Sequence, residues 1–233
     1  MQNPSAVAAL FQRIAPHYDR MNRLMTLGQD RKWRRYAVKR LLPYQPKRLL
    51  DLAAGTGDFA REASLLLPSV EAIYLVDRVP EMLALAPPKK PNRSGLEWHF
   101  HVADAHQLPF PASYFDAITV GYGVRNFANR LQALREMNRV LRPGGIALVL
   151  ETGLPTHPLW KTLFWLYFRF YVPFLGALFA RDKAAYTYLP ESTAAFPHRE
   201  AFLYLCQQAG FVPGSYKLFW GGASILYELH KQA

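Results

Sequence analysis

The run Leu49-Leu50-Asp51-Leu52-Ala53-Ala54-Gly55-Thr56-Gly57-Asp58 constrains the fold of this chain more than any other stretch. An apolar run that ends in an acidic residue reads as a strand buried on both faces, as in a parallel sheet. Gly55-Thr56-Gly57 then turns the chain, and 59–67 is patterned for a helix. Glycines suit such a turn because its backbone takes φ/ψ values that side chains oppose, and because a ligand must approach it closely. An open α/β sheet holds a nucleotide-like ligand in this way, at the carboxyl ends of its strands.

The alternation continues downstream. Strands are expected over 48–52, 72–76, 96–102, 117–120 and 146–151, with helices over 59–67, 80–85 and 131–141. Arg142-Pro143-Gly144-Gly145 closes the last helix, where Pro and Gly act as stop signals and basic residues suit the negative end of its dipole. Such alternation predicts a parallel sheet with helices on both faces.

The flanks differ in texture. Residues 7–42 read as helical with a break at Ala15-Pro16, and 31–42 packs six Lys/Arg around Trp33, Tyr36 and Val38. That segment predicts an amphipathic helix with a solvated basic face, or one that touches a membrane surface. Residues 159–180 are dense in aromatics, but Lys161 and Arg169 divide them and Pro173 and Gly176 weaken them. No unbroken apolar run reaches the roughly 20 residues that a membrane span needs, so this is a cap or interfacial helix. A helix over 198–209 and an antiparallel pair over 211–220 and 223–229, around Gly221-Gly222, complete the chain.

Its 233 residues suit one domain: a helical lid (1–47), a ligand-binding core (48–152), an apolar cap (153–197) and a C-terminal helix with antiparallel strands (198–233). Hydrophobic residues make up 51% and aromatics 14%, which excludes disorder. The single cysteine, Cys206, excludes an internal disulfide framework, fits a reducing cytoplasm and is expected on a buried helix face. The first residues show no basic-then-apolar leader pattern. A net charge of +11 draws the chain to phosphates, whether of nucleic acid or of anionic lipid.

Two ligands compete for the turn. Gly55-Thr56-Gly57-Asp58-Phe59-Ala60 satisfies a permissive dinucleotide fingerprint, G-x-G-x-x-A, with Asp77 about twenty residues on. Read from Asp51, the same segment suits S-adenosylmethionine, whose cationic methionine end an acidic residue at the strand end balances. Asp77 accepts from ribose hydroxyls in either scheme. Asp104, after the third strand, adds an acceptor for an adenine amino group. Asp51, Asp77 and Asp104 at successive strand ends resemble class I methyltransferases.

Further segments narrow the resemblance. They run from Phe11-Gln12-Arg13-Ile14-Ala15-Pro16-His17-Tyr18-Asp19, with Asn22 and Trp33-Arg34, to Leu108-Pro109-Phe110 and Tyr122-Gly123-Val124-Arg125-Asn126. Glu136-Met137-Asn138-Arg139-Val140-Leu141-Arg142-Pro143-Gly144-Gly145, Tyr186-Thr187-Tyr188-Leu189-Pro190-Glu191-Ser192 and Phe196-Pro197 follow. With these the chain resembles the UbiE/MenG family of quinone C-methyltransferases over nearly its whole length. The resemblance implies a class I S-adenosylmethionine-dependent methyltransferase fold: Rossmann-like, a mostly parallel seven-stranded sheet, helices on both faces, N-terminal helices and an apolar helical cap. It implies methylation of a ring carbon of a polyprenylated hydroquinone, demethylmenaquinol in menaquinone biosynthesis first, with a benzoquinol of ubiquinone biosynthesis as the alternative.

The resemblance points to Thr56, Asp77, Asp104 and Ala105 for the cofactor. Asp51, Gly55, Gly57, Arg78 beside Asp77, and Tyr18 covering the methionine end join that set. Gly121 belongs there through its backbone alone, since many relatives carry Ser at its place. Ala53 and His106 also depart from common family choices.

Aromatic carbon becomes a good nucleophile once the ring hydroxyl loses its proton, so the enzyme must favour the phenolate and hold carbon and methyl together. Arg125 is expected to stabilise phenolate; its pKa, above about 12, makes it a poor base. Asn126 is a positioning partner. His17, in a group with Tyr18 and Asp19, is the candidate proton acceptor. Neither task requires a metal, and His99 and His101, sharing a face with Glu97, read as a solvated edge strand.

Trp160, Phe164, Trp165, Phe168 and Phe174 offer surface for a prenyl chain, and Lys161, Arg169, Arg181 and Lys183 face lipid headgroups. The expected place is thus the cytoplasm, peripheral to the membrane, with a homodimer through the cap as the other use of that surface. Two readings stay open: methylation of another small phenol or amine, and a basic RNA-binding protein. No recognisable RNA module or Asn-Pro-Pro-Tyr-type motif supports the last.

Overall fold

Five parallel strands form the centre of the molecule: β1 (Arg48–Leu52), β2 (Ala72–Asp77), β3 (Glu97–Val102), β4 (Phe115–Gly121) and β5 (Leu141–Thr152). The computed structural model describes residues 4–175, 183–212 and 214–233. Beside β5 runs β8 (Ser224–Lys231), antiparallel, and both β6 (Phe211–Val212) and β7 (Tyr216–Phe219) pair with β8. The order is β3-β2-β1-β4-β5-β8-β6, with β7 sharing the lane of β6, so eight segments occupy seven lanes.

Side chains alternate across a strand, and here the alternation makes two cores. Leu50, Ile118, Ala147 and Val149 face α6 (Arg130–Val140) and α10 (Glu200–Gln208), whose Met137 and Phe202 join them. Leu49, Ala117, Ile146 and Leu148 face α3 (Gln29–Lys39), α4 (Asp58–Leu66) and α5 (Pro80–Leu83), through Trp33, Ala37, Ala63 and Leu83. Cys206 is buried on α10, as its sequence context implies.

Three elements depart from the sequence-based expectation. Residues 211–220 are not one strand. From the pair Phe211–Lys231 to the pair Tyr216–Tyr227, one strand advances five residues and its partner four. Gly214 lies in this bulge, where an added Cβ would sit 1.4 Å from the Glu228 carbonyl oxygen. The Pro-Gly-Gly segment is not a loop before β5 but a bulge inside it, between the pairs Phe115–Leu141 and Ala117–Ile146, with Gly144 at φ 71°. The third concerns the basic helix α3. Trp33, Ala37 and Val38 are buried as expected, but so is Arg34, at 4% exposure, while its basic neighbours are solvated.

Over the carboxyl ends of the strands lie α1 (Pro4–Ile14) and α2 (Tyr18–Thr26), packed against the cap through Ile14, Met21, Phe168 and Val172. The cap comprises α7 (Pro158–Leu166), a π turn (Tyr167–Tyr171), α8 (Val172–Leu175) and α9 (Lys183–Ala194). Gly176 and Arg181 lie outside the described residues. Among the described residues no helix is long and apolar enough to cross a membrane.

Candidate active site

The β1–α4 turn is built as its glycines require. Gly55 and Gly57 have φ of 56° and 79°, values that L side chains oppose. The Gly55 N–H donates to Asp77 Oδ2 at 2.8 Å, and Asp77 Oδ1 accepts from the Val79 N–H at 2.9 Å. Burial raises the Asp77 pKa above the usual carboxylate value. Below the turn, Asp51 accepts from the Ala60 N–H at 3.1 Å and the Thr119 hydroxyl at 2.9 Å. It is fully buried, and burial pushes its carboxyl up to about 7.

A cleft of about 110 Å³ runs from this turn along the strand ends, lined by Asp77, Arg78, Asp104, Ala105, Gly121 and Asn126 and closed by Phe11 and Tyr18. A small extension of about 20 Å³ beneath it is lined by Asp51, Thr56, Arg34 and Asp58. Of the residues expected to bind a cofactor, only Gly57 borders neither space; it packs against Leu75 and Ala86. Asp104 pairs with Arg78 at 3.4 Å and with the His106 imidazole. Its slight burial works the other way, but hydrogen bonds from His106 and the charge of Arg78 hold its carboxyl below the ordinary value.

Gly121 forms a notch. A Cβ there would stand 2.8 Å from the Phe59 ring, which explains why this chain has no Ser at that place. Thr56 is buried, and its hydroxyl donates to Asp19 at 2.6 Å and accepts from Lys89 Nζ at 2.8 Å. Lys89 also meets Asp19 at 2.5 Å and Asp58 at 2.8 Å, so helix α2 is tied to the turn. Burial would raise the Asp58 carboxyl, but Arg34 and Lys89 beside it bring it down to about 2.

A second cavity, about 720 Å³, adjoins the cleft and shares Phe11, Tyr18 and Tyr122 with it. Its walls are apolar, from Ile14, Met25, Phe164, Phe168 and Leu189, and its few polar groups include Asp30, Arg125 and Thr152. Arg125 is 5% exposed and donates from Nη1 to the Tyr122 carbonyl at 2.5 Å and to Glu151 Oε1 at 2.6 Å. Its Nε is buried without a hydrogen-bond partner. Burial opposes the charge, but Glu151 and Tyr18 outweigh it and hold the Arg125 pKa above the ordinary arginine value. Tyr122, which presents the carbonyl, has φ 59°, a strained value for a bulky residue.

Asn126, next in the chain, lines the cleft, and its Oδ1 accepts at 2.9 Å from the hydroxyl of Tyr188, a residue of the large cavity's wall. The structure does not bring His17 to this site. It is exposed on the 3₁₀ turn Ala15–His17, which turns Ala15 inward instead, and it lines none of the three cavities. His99 pairs with Glu97 at 3.1 Å and stacks on Tyr74, on the edge strand β3. Sequence reasoning missed Glu151, Lys89 and the buried state of Arg34.

The model of the ubiE/COQ5 methyltransferase family matches residues 1–231. The chain belongs to this family. A demethylmenaquinone methyltransferase from Deinococcus radiodurans is 46% identical over 206 residues, covering 88% of this chain and 85% of that one. Another of that description, from Thermus thermophilus, is 45% identical, covering 93% and 97%. Among solved structures, a SAM-dependent methyltransferase from Thermotoga maritima superposes with a TM-score of 0.64 at 20% identity, over 96% and 99% of the two chains. Human N-acetylserotonin methyltransferase in complex with SAM gives 0.58 at 18%, over 91% and 56%. These likenesses show the class I methyltransferase fold. In this methyltransferase the cleft along the strand ends occupies the ligand-binding edge of that fold.

Proposed function

We propose that this methyltransferase transfers the methyl group of S-adenosylmethionine to a ring carbon of a polyprenylated hydroquinone, demethylmenaquinol first, at the cytoplasmic surface of a membrane. One observation carries the reading: an aromatic-walled cavity of about 720 Å³ holds a buried cation, Arg125, and meets the cofactor cleft at Tyr18 and Tyr122. The names of the relatives agree with it.

The residues fit the cofactor. Asp77 offers carboxylate oxygens for ribose hydroxyls and Asp104 an acceptor for the adenine amino group. Asp51, Gly55 and Thr56 line the small space that would take the methionine end, and Gly121 borders both that space and the cleft. When bound, S-adenosylmethionine supplies a methyl group made electrophilic by its sulfonium. Arg125 lowers the pKa of the ring hydroxyl by favouring phenolate, a fixed charge in an apolar cavity that costs no reorganisation. The hydroxyl proton passes to solvent water, electron density then reaches the adjacent ring carbon, and that carbon's own proton is lost to water once it has taken the methyl group. Tyr18 and Tyr122 border both spaces and hold ring and methyl donor in register.

The cavity wall accommodates the isoprenoid, and its mouth carries the solvent-exposed Leu27, Trp160 and Leu163. Nearby, Trp165, Phe170 and Phe174 are exposed without lining the cavity, and Lys161 and Arg169 are solvated with them. Apolar side chains rimmed by cations suit peripheral contact with anionic lipid. The side chain of Lys183 lies outside the described residues.

The test is transfer of labelled methyl from S-adenosylmethionine to prenylated naphthoquinol and benzoquinol. Label on the ring carbon of the naphthoquinol supports the proposal, and label on the benzoquinol alone moves it to the other ring. Label on neither, with transfer to another small phenol or amine, overturns it. Salt-sensitive sedimentation with anionic vesicles tests the membrane contact, against self-association in the absence of lipid.

A further inference from the structure

Six basic residues stand between Arg31 and Arg40, and only Arg34 is buried. Burying an arginine is costly, and a buried ion pair is often no more stable than apolar residues of the same volume. A scaffold gains little from Arg34, and its setting is that of a binding group.

Its guanidinium borders the small space beneath the β1–α4 turn, together with Tyr18, Asp51, Gly55 and Thr56. It lies over the rings of Tyr122 at 5.4 Å and Phe59 at 5.9 Å, which fix its plane. Its contacts with carboxylates run through one nitrogen: Nη1 meets Asp30 at 2.6 Å and Asp58 at 3.5 Å. Nε lies 3.8 Å from where a Cβ of Gly121 would be, and Gly121 lines the same small space as Arg34. Paired N–H groups on one edge of a guanidinium match the two oxygens of a carboxylate.

We infer that Arg34 binds the carboxylate of the cofactor's methionine end through Nε and Nη2, with Asp30 and Asp58 holding the guanidinium from the other side. This rests on the S-adenosylmethionine reading. It assigns a cofactor contact to helix α3, outside the β1–α4 turn. The ammonium is left to the acidic groups of the same space, Asp51 and Asp58. Charges then match across the zwitterion.

The test is calorimetric titration of the whole protein with S-adenosylmethionine and with its decarboxylated analogue, which keeps the sulfonium and an amine. Wild type is expected to prefer the carboxylate-bearing ligand by about 10- to 100-fold, the range of charge-assisted hydrogen bonds. Arg34→Gln is expected to abolish that preference while its affinity for the analogue stays within about threefold of wild type. Arg34→Lys, with one point charge and no fork, is expected to keep part of the preference. It carries the test should Arg34→Gln fail to fold by circular dichroism.

Equal loss of both ligands in the variant would make Arg34 a scaffold residue and overturn the inference. So would a preference unchanged from wild type. Wild-type protein that binds neither ligand would instead overturn the cofactor reading on which the inference stands.

Discussion

Arg125 and Glu151 form a closed pair on the floor of the large cavity. The guanidinium reaches Glu151 Oε1 at 2.6 Å, and Glu151 Oε2 accepts the backbone N–H of Arg125 at 3.1 Å. One carboxylate thus fixes both the side chain and the turn that carries it. Arg125 is aimed from two sides, by its partner on β5 and by the Tyr122 carbonyl three residues back in its own turn.

Glu151→Gln keeps the shape and removes the charge, leaving a buried arginine without its counterion. Loss of such a partner costs about 3 kcal/mol, readable as a lower midpoint in urea denaturation. Turnover is expected to fall at least about tenfold with cofactor affinity unchanged. Unchanged turnover would show that Arg125 works without this support.

Asp51 links stability to pH. Its folded-state carboxyl lies near 7 because it is buried, against about 3.9 in the unfolded chain. Between those values the folded state binds more protons, so this group makes stability fall as pH rises from 4 to 7. Asp51→Asn is expected to flatten that limb of the melting profile and to stabilise the ligand-free protein at pH 8 by on the order of 3 kcal/mol. Melting curves from pH 5 to 8 decide; an unaltered slope would contradict the assignment.

Gly121→Ser puts an atom where the Phe59 ring already is. Overpacking of this kind costs about 1–3 kcal/mol, and Phe59→Leu in the same chain is expected to restore part of it. A double-mutant cycle on thermal stability measures the coupling. Additive effects would show that Phe59 is not the obstacle.

Lys89→Met removes the cation shared by Asp19, Thr56 and Asp58. Hydrogen exchange is expected to quicken in α2, and stability to drop by about 1–2 kcal/mol. The acid limb changes as well. With its carboxyl at about 2, below the unfolded value of about 3.9, Asp58 contributes stability above pH 4 that is lost as pH falls through 2. Without Lys89 the folded carboxyl moves back toward the unfolded value, so this contribution is expected to be smaller and its loss complete at higher pH.

Local chemistry was legible where a few adjacent residues specify it. Gly55 and Gly57 announce their positive φ, and Asp77 and Asp104 stand at strand ends where apolar runs stop. Relations across the fold were hidden. Glu151 reads as the end of a strand, and only the pairing of β4 with β5 sets it beside Arg125. A basic run reads as solvated because exposure is its cheapest state, so the burial of Arg34 has no local sign. Lys89, in a Pro-rich stretch, looks like loop surface until the 3₁₀ turn Pro87–Lys89 aims it at Asp19 and Asp58. The motif around His17 marks its segment, yet the 3₁₀ turn decides which side chain faces inward.

The most direct measurement is the ionisation of hydroquinone bound in the large cavity. With S-adenosylhomocysteine in the cleft no methyl can move, and an anaerobic ultraviolet titration reads phenolate formation alone. The bound hydroxyl is expected to ionise at least about one pH unit below the free one, and Arg125→Ala to remove that difference while leaving cofactor affinity intact. A bound hydroxyl that titrates like the free one, or a shift that survives Arg125→Ala, would contradict phenolate stabilisation by Arg125.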